Sequence, residues 1–314
     1  MCLPQNPPSL DPGIRPDYPA FFSLDEDCCR AYRNARDLPH NQAVKDFVEL
    51  LWARFQPSQD PNFLSDARHH FLQRFWEMYL FVSLQERGLS PKKGEALGPD
   101  FYLEVEGRRY WIEAIAPDAG DGANRVPGRV LREAMRVPKT EIILRYTSAL
   151  AEKRGKWLEW LKKGIVSASD GYIVSINGRL CDEFNGPVIP LFIEAFLPFG
   201  PLTVMINKAT LKAEDCFFQH SDTVLNKNQA PVSTAPLLEE SYAPISAVLH
   251  SLVDPWNHPK ELGGDFELLH NPKASTRLLD SSFLWCLQQH FVEDHLEPLR
   301  PKGSIQDSGP ELVI

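Results

Sequence analysis

Two carboxylates stand on opposite arms of a short hairpin in GPDFYLEVEGRRYWIEAIAP, residues 98–117. Glu106-Gly107 makes a two-residue turn with glycine where a positive φ is wanted. Such a turn sets Val105 against Arg108 and so fixes the register. Counting outward pairs Glu104 with Arg109, Leu103 with Tyr110, Tyr102 with Trp111 and Phe101 with Ile112, and Asp100 falls opposite Glu113. The charge pair and the aromatic pair are favourable, whereas like charges face to face destabilise a sheet. A divalent cation offsets that repulsion. Hard oxygen ligands at a strand edge suit Mg²⁺ (or Mn²⁺); Mg²⁺ binds through one or two carboxylates and keeps several waters. Two solvated acids at a strand end fit the same residues, and a one-residue slip of the turn would separate them.

Three other groups bear on that pair. Glu77 lies in FWEMYLF, residues 75–81, a helical segment apolar nearly all round, where a lone carboxylate needs a partner. Steps of four, three and four put Asp66, His70, Gln73 and Glu77 in one stripe. The stripe either borders a wet, cation-bearing site, or Glu77 pairs with Arg74 one turn away. In SALAEKRGKWLEWLKKG, residues 148–164, the apolar stripe is Ala149, Leu150, Trp157, Trp160 and Leu161. Lys153 sits in its middle, while Lys156, Lys162 and Lys163 lie mostly off it. A lysine so placed snorkels to solvent or points at buried anions, and the acidic hairpin supplies anions. Arg125, Arg129, Arg132, Arg136 and Lys139 make residues 117–139 the most basic stretch, suited to gripping phosphates or simply to solvation. His69-His70 lacks the HExxH spacing, and no GxSxG, P-loop or GxGxxG occurs. LHNPKA, residues 269–274, is first a turn signal, and the sequence leaves open whether His250, His258 and His270 cluster.

The elements that must position these residues follow from periodicity and punctuation. Helical spacing covers 40–56 and 63–88, the second closed by Gly88. Strands are expected at 100–105, 108–116 and 141–147, then a helix at 148–164 closed by Gly164, then a central strand at 171–178. The order is helix, strand, strand, strand, helix, strand. Further on, 201–211, 245–253 and 265–270 read as strands, 214–244 as loop and 281–296 as a helix. The chain divides into an irregular arm (1–40), a core with N-terminal helices (41–180), a C-terminal α+β extension packed on it (181–300) and a tail (301–314).

Composition sets the bounds. The 314 residues are 43% hydrophobic and 24% charged, enough for a sizeable core in one large domain or two modest ones. A net charge of −9 excludes a broad basic footprint, so any nucleic-acid contact must come from a local patch. The six cysteines form no CxxC pair and argue against a zinc or disulfide framework, which fits a reducing cytosol. The N-terminus lacks the basic start and apolar core of a signal peptide, and no run reaches the roughly 18 apolar residues of a membrane span. A soluble, cytoplasmic chain without a membrane partner is the expectation.

With these residues in hand, positions 63–178 resemble the PD-(D/E)xK nuclease superfamily, the restriction-endonuclease-like fold. The resemblance is carried by Pro99-Asp100, Ile112-Glu113-Ala114, the upstream helical Glu77 and the element order. It implies an α/β protein with a restriction-endonuclease-like core (α-β-β-β-α-β, a mixed sheet flanked by helices), here with an additional C-terminal α+β region. It also implies metal-dependent hydrolysis of phosphodiester bonds in nucleic acid, DNA by the family's habit, with Asp100, Glu113 and Glu77 holding Mg²⁺ or Mn²⁺. The family's lysine two residues after the glutamate is Ile115 here. The superfamily is known to relocate that lysine onto the following helix, which makes Lys153 the fourth catalytic residue. Arg145 and Thr147 join the same pocket by the resemblance, and Arg129 and Arg132 complete the substrate-binding set. FWEMYL, IEAIAP, LRYTSALAEK and LHNPKA are similar to segments of uncharacterised bacterial proteins with this fold. Ile115 and the acidic net charge favour an alternative, a catalytically inactive nuclease fold acting as a nucleic-acid or protein binding module.

Overall fold

Alternation along the central strands sends side chains to two faces of one sheet, and helices cover both. A computed structural model describes residues 19–56, 60–94, 97–130, 132, 135–183 and 189–301. The first half holds helices α1 (Arg30–Asp37), α2 (Gln42–Phe55), α3 (Phe63–His69) and α4 (Phe71–Glu86), then strands β1 (Lys92–Lys93), β2 (Phe101–Val105) and β3 (Arg108–Ile115). After helix α5 (Lys139–Lys162) come strand β4 (Gly171–Asn177), helix α6 (Leu191–Phe196) and strands β5 (Phe199–Ile206), β6 (Ala213–His220), β7 (Thr223–Leu225) and β8 (Pro231–Ser233). Strands β9 (Ala247–Ser251), β10 (Glu267–His270), β11 (Leu287–Val292) and β12 (His295–Leu299) follow.

Among the described residues the main sheet has eight strands in the order β1-β2-β3-β4-β9-β10-β11-β12. It is mixed: β3–β4, β4–β9 and β10–β11 are parallel, and the other pairs antiparallel. Strands β9 to β12 therefore extend the same sheet that holds the acidic hairpin. On one face Tyr110, Ile112, Ala114 and Ile173 pack with Phe75, Trp76 and Tyr79 of α4. On the other, Trp111, Tyr172 and Val174 pack with Tyr146, Leu150 and Trp157 of α5. The hairpin has the counted register, Phe101 opposite Ile112 through Val105 opposite Arg108. Glu106 (φ 48°) and Gly107 (φ 77°) both take positive φ, the turn whose twist matches its flanking strands.

The element order α4, β1, β2, β3, α5, β4 repeats the expected sequence of helix, three strands, helix and strand, but with different residues. The expected strand at 141–147 lies inside α5. Ile142, Ile143 and Tyr146 continue the buried stripe of Ala149, Leu150, Lys153, Trp157 and Trp160, so helical burial overrides the local β-propensity of Glu-Ile-Ile-Leu. The two-residue β1, paired with Phe101 and Tyr102, supplies the third strand instead.

Other expectations are corrected as well. The helix at 63–88 breaks at His70, whose φ of −117° and ψ of 46° leave the helical region. Residues 281–296 form a short 3-10 turn and most of the β11–β12 hairpin, not a helix. That hairpin turns on Glu293 and Asp294, both at positive φ without glycine, which hides it from punctuation-based reading. The expected loop at 214–244 contains most of β6 and all of β7 and β8, and the N-terminal arm contains α1. Residues 1–18 of that arm and 302–314 of the tail lie outside the described residues. No helix among the described residues is long and apolar enough to cross a membrane.

Candidate active site

Period-two alternation decides where Glu113 goes. With Ile112 and Ala114 committed to the α4 core, Glu113 must point to the α5 face. There its Oε1 accepts a hydrogen bond from Lys153 Nζ at 3.0 Å. Both side chains are buried, at 7% and 6% exposure, so the pair is sheltered from solvent screening. Lys153 is the polar member of the α5 stripe and anchors the helix over the strand. Lys156, one turn on and half exposed, brings its Nζ to 3.5 Å from the same oxygen. The sequence stripe set Lys156 mostly aside. Its three-residue step from Lys153 is the signal that links them.

Asp100 sits immediately before β2 and is tied to the strand that carries Glu113. Its Oδ2 accepts from the backbone N–H of Ala114 at 2.7 Å. Burial pushes the Asp100 carboxyl well above its ordinary value, and the charges of Glu113 and Glu77 push it further. The remaining oxygens, Asp100 Oδ1 and Glu113 Oε2, accept no hydrogen bond among the described residues.

Glu77 approaches from α4. Its Oε2 accepts from Arg74 Nη1 at 2.8 Å, so the i,i+3 ion pair is formed. The carboxyl is nonetheless raised, by burial first, with Arg74 opposing and Glu113 adding to the rise. The expected pairing of Glu77 with Arg74 is therefore formed, and the carboxyl also feels the charge of Glu113. Of the rest of its stripe, Gln73 reaches β3. Gln73 Oε1 accepts from Ala116 N at 2.6 Å, which secures the strand end beyond Glu113. Asp66 is held by Arg74 at 2.6 Å, and His70 is exposed at the helix break.

Burial opposes the charge on Lys153 most strongly, but Glu113, with Lys156 and Asp100 adding to it, holds the ammonium above its ordinary value. Tyr172 of β4, which the sequence reading missed, belongs to this group. Its hydroxyl donates to Lys153 O at 3.3 Å, and its ring stacks on Trp157 at 4.6 Å. Burial raises its phenol well above normal, with Glu113 and Asp100 adding to the effect. Its place opposite Trp111 rests on pairing between distant strands, which leaves no local mark in the sequence.

The other candidates lie elsewhere. Arg145 faces the 117–139 connection, donating to Asp118 O at 2.8 Å and pairing with Asp118 Oδ1 at 3.0 Å. With Thr147 it lines a cleft of about 500 Å³ bounded also by Gly120, Asn226, Ser233 and Tyr242. Thr147 Oγ1 donates to Leu144 O at 3.2 Å, a bond within its own helix. Arg129 is exposed and donates to Glu183 O at 3.5 Å, and Arg132 is exposed at φ 69°. No hydrogen bond or ion pair among the described residues links Arg145, Thr147 or Arg132 to the acids. Ile115, two residues after Glu113, is partly buried against the α5-side core. The three histidines do not cluster: His250 stacks on Phe192, His258 on Phe47 and His270 on His290.

No known family model, curated protein or solved structure matches the chain.

Proposed function

We propose that this chain is a metal-dependent nuclease that hydrolyses phosphodiester bonds of nucleic acid, with DNA as its substrate, on a restriction-endonuclease-like core. One observation carries the reading: a buried lysine, Lys153, held 3.0 Å from Glu113, on a strand whose Ala114 N–H binds Asp100. The element order from α4 to β4 supports it.

The donor set fits a hard divalent cation such as Mg²⁺ or Mn²⁺. Asp100 and Glu113 each keep a carboxylate oxygen without a hydrogen bond among the described residues, and burial first, then repulsion from Glu113 and Glu77, raises Asp100. These two would hold the ion, with Glu77 completing the set from α4. When bound, the ion supplies a polarised phosphate and a water of lowered pKa. The chain's own part is electrostatic and positional. Lys153 presents a fixed positive charge to the charge that develops on the phosphate, a role suited to a preorganised, sheltered cation. Lys156 extends that positive charge toward solvent, where a substrate backbone arrives. Gln73 and Tyr172 keep β3 and α5 in register around the acids.

The competing reading, a binding module without catalysis, is favoured by Ile115 at the position where the superfamily carries its lysine. Cleavage and binding assays with single- and double-stranded DNA, run with Mg²⁺ or Mn²⁺, separate the two. Cleavage lost in Lys153→Ala and Asp100→Asn, with DNA binding kept, supports the nuclease. Binding without cleavage in the parent supports the module. A parent that neither binds nor cleaves sinks the nuclease and the nucleic-acid-binding form of the module.

A further inference from the structure

The end of the sheet farthest from the hairpin carries a second group of potential ligands. His270 closes β10 and His290 lies in β11, one step beyond the Leu269–Gln289 pair of this parallel ladder. Both therefore project on one face, and their rings stack at 4.1 Å with an 11° interplanar angle. Asp280, on the connection between the strands, brings its Oδ1 to 3.7 Å from His270 Nε2 and 3.4 Å from His290 Nε2. One ligand atom from each of the three lies within 4.8 Å of the others. A tetrahedral ion with bonds of about 2.0–2.2 Å has ligand atoms roughly 3.3 Å apart, so closing the set takes side-chain rotations that tilt the two stacked rings toward a common point.

Two further observations point to a ligand. His290 Nε2 is buried and has no hydrogen-bond partner among the described residues, a condition native proteins avoid unless something satisfies the group. Gln288, fully buried, is locked by donation from its Nε2 to Asp280 O at 3.0 Å. That orientation aims its Oε1 at His270 Nε2, 2.8 Å away, so Nε2–H donates to the amide and Nδ1 is the ring nitrogen left to take an ion. A buried amide thus braces two of the three ligands, as outer partners do around metals. Beside the group opens a cavity of about 430 Å³ lined by Ser246, Asn271, Arg277 and Phe291.

We propose that His270, Asp280 and His290 bind a transition-metal ion of the Zn²⁺ class, separately from the carboxylate site. Imidazole nitrogen selects such ions, whereas the all-oxygen set of Asp100 and Glu113 selects Mg²⁺ or Mn²⁺. Three protein ligands leave one coordination position open toward the cavity for water or a small anion. The ion also closes the chain from 270 to 290 and clips β11 and β12 to the sheet.

The test uses the full chain, stripped with chelator and titrated with Zn²⁺ and with Co²⁺. Expected are one equivalent bound in competition with a chromophoric chelator, tetrahedral-type visible bands with Co²⁺, and a raised melting temperature. His290→Gln and Asp280→Asn should abolish all three, and Gln288→Leu should weaken binding by about 10–100-fold. Asp100→Asn should leave them intact. Melts in EDTA show whether each variant still folds, and His290→Gln, at a partly exposed side chain, keeps the test open if Gln288→Leu does not. A parent indifferent to both ions overturns the proposal. So does binding that survives His290→Gln and Asp280→Asn, which would put the ion elsewhere.

Discussion

At the scale of single residues, Glu113 answers to two neighbours of opposite sign. Like-charge pairing with Asp100 alone would make Glu113→Gln stabilising in the absence of metal, but the Lys153 contact reverses that sign. Removing one partner of a buried pair leaves the other charge uncompensated, at about 3–5 kcal/mol. The Gln oxygen still accepts from Lys153, so the lower end applies: Glu113→Gln should melt below the parent in EDTA by the equivalent of about 3 kcal/mol. Asp100→Asn should do the opposite. Asp100 is raised in the folded state, so above its ordinary value of 3.8 the folded chain holds a proton the unfolded chain has released. Stability therefore falls as pH rises through that window until the folded carboxyl ionises, and the loss persists at neutral pH. Asn removes the loss and still accepts from Ala114 N–H. Denaturant titrations of parent and Asp100→Asn from pH 4 to 8 in EDTA should show a flatter profile and higher neutral stability for the variant; parallel profiles would show that the Asp100 carboxyl is not raised in the folded state. The acidic pair was legible in the sequence because Glu106-Gly107 fixes the hairpin register. Lys153 was legible because it interrupts an apolar stripe.

Individual elements were legible wherever one period dominated. The hairpin and β4 met that condition. The N-terminal part of α5 did not, because Glu-Ile-Ile-Leu carries β-branched residues whose helical role shows only when the stripe is followed on to Trp160. The β11–β12 hairpin failed for another reason: its turn uses Glu293 and Asp294 where glycine or asparagine is the usual mark. Helix α5 carries one weak link that nothing in its surroundings requires. Gly155 sits mid-helix between Lys153 and Trp157, and a Cβ added there meets no atom within 4 Å. Gly155→Ala should stabilise the protein by about 0.5–1 kcal/mol through helix propensity alone. Thermal melts should show the rise, with the proposed cleavage unchanged; a lower melt would mean that α5 needs the flexibility.

For the whole molecule, the central fact is that β4 has no free edge. All seven of its residues are buried, with β3 on one side and β9 on the other. The sequence marked β4 as central from its apolar run, but it could not say that the covering strand comes from so far along the chain. Pairing between distant segments leaves no local pattern. A chain ending at residue 183 keeps every residue of the candidate active site yet loses β9. It should be insoluble or lack cooperative unfolding, because an apolar strand with a bare edge recruits other chains. Soluble expression with a sharp melt would show that the site-bearing part is self-sufficient.

The same adjacency governs how the protein is made. Asn177 ends β4 and Ala247 begins β9, so roughly seventy residues separate the edge from its cover, which at about 5–20 residues per second is several seconds of synthesis. Throughout that interval the nascent chain already carries Asp100, Glu113 and Lys153, but on a half-built sheet. Refolding from denaturant recreates the same exposure, so its yield should fall as protein concentration rises while its rate stays constant. The part of the molecule that carries the candidate active site is synthesised early and can be held rigid only late.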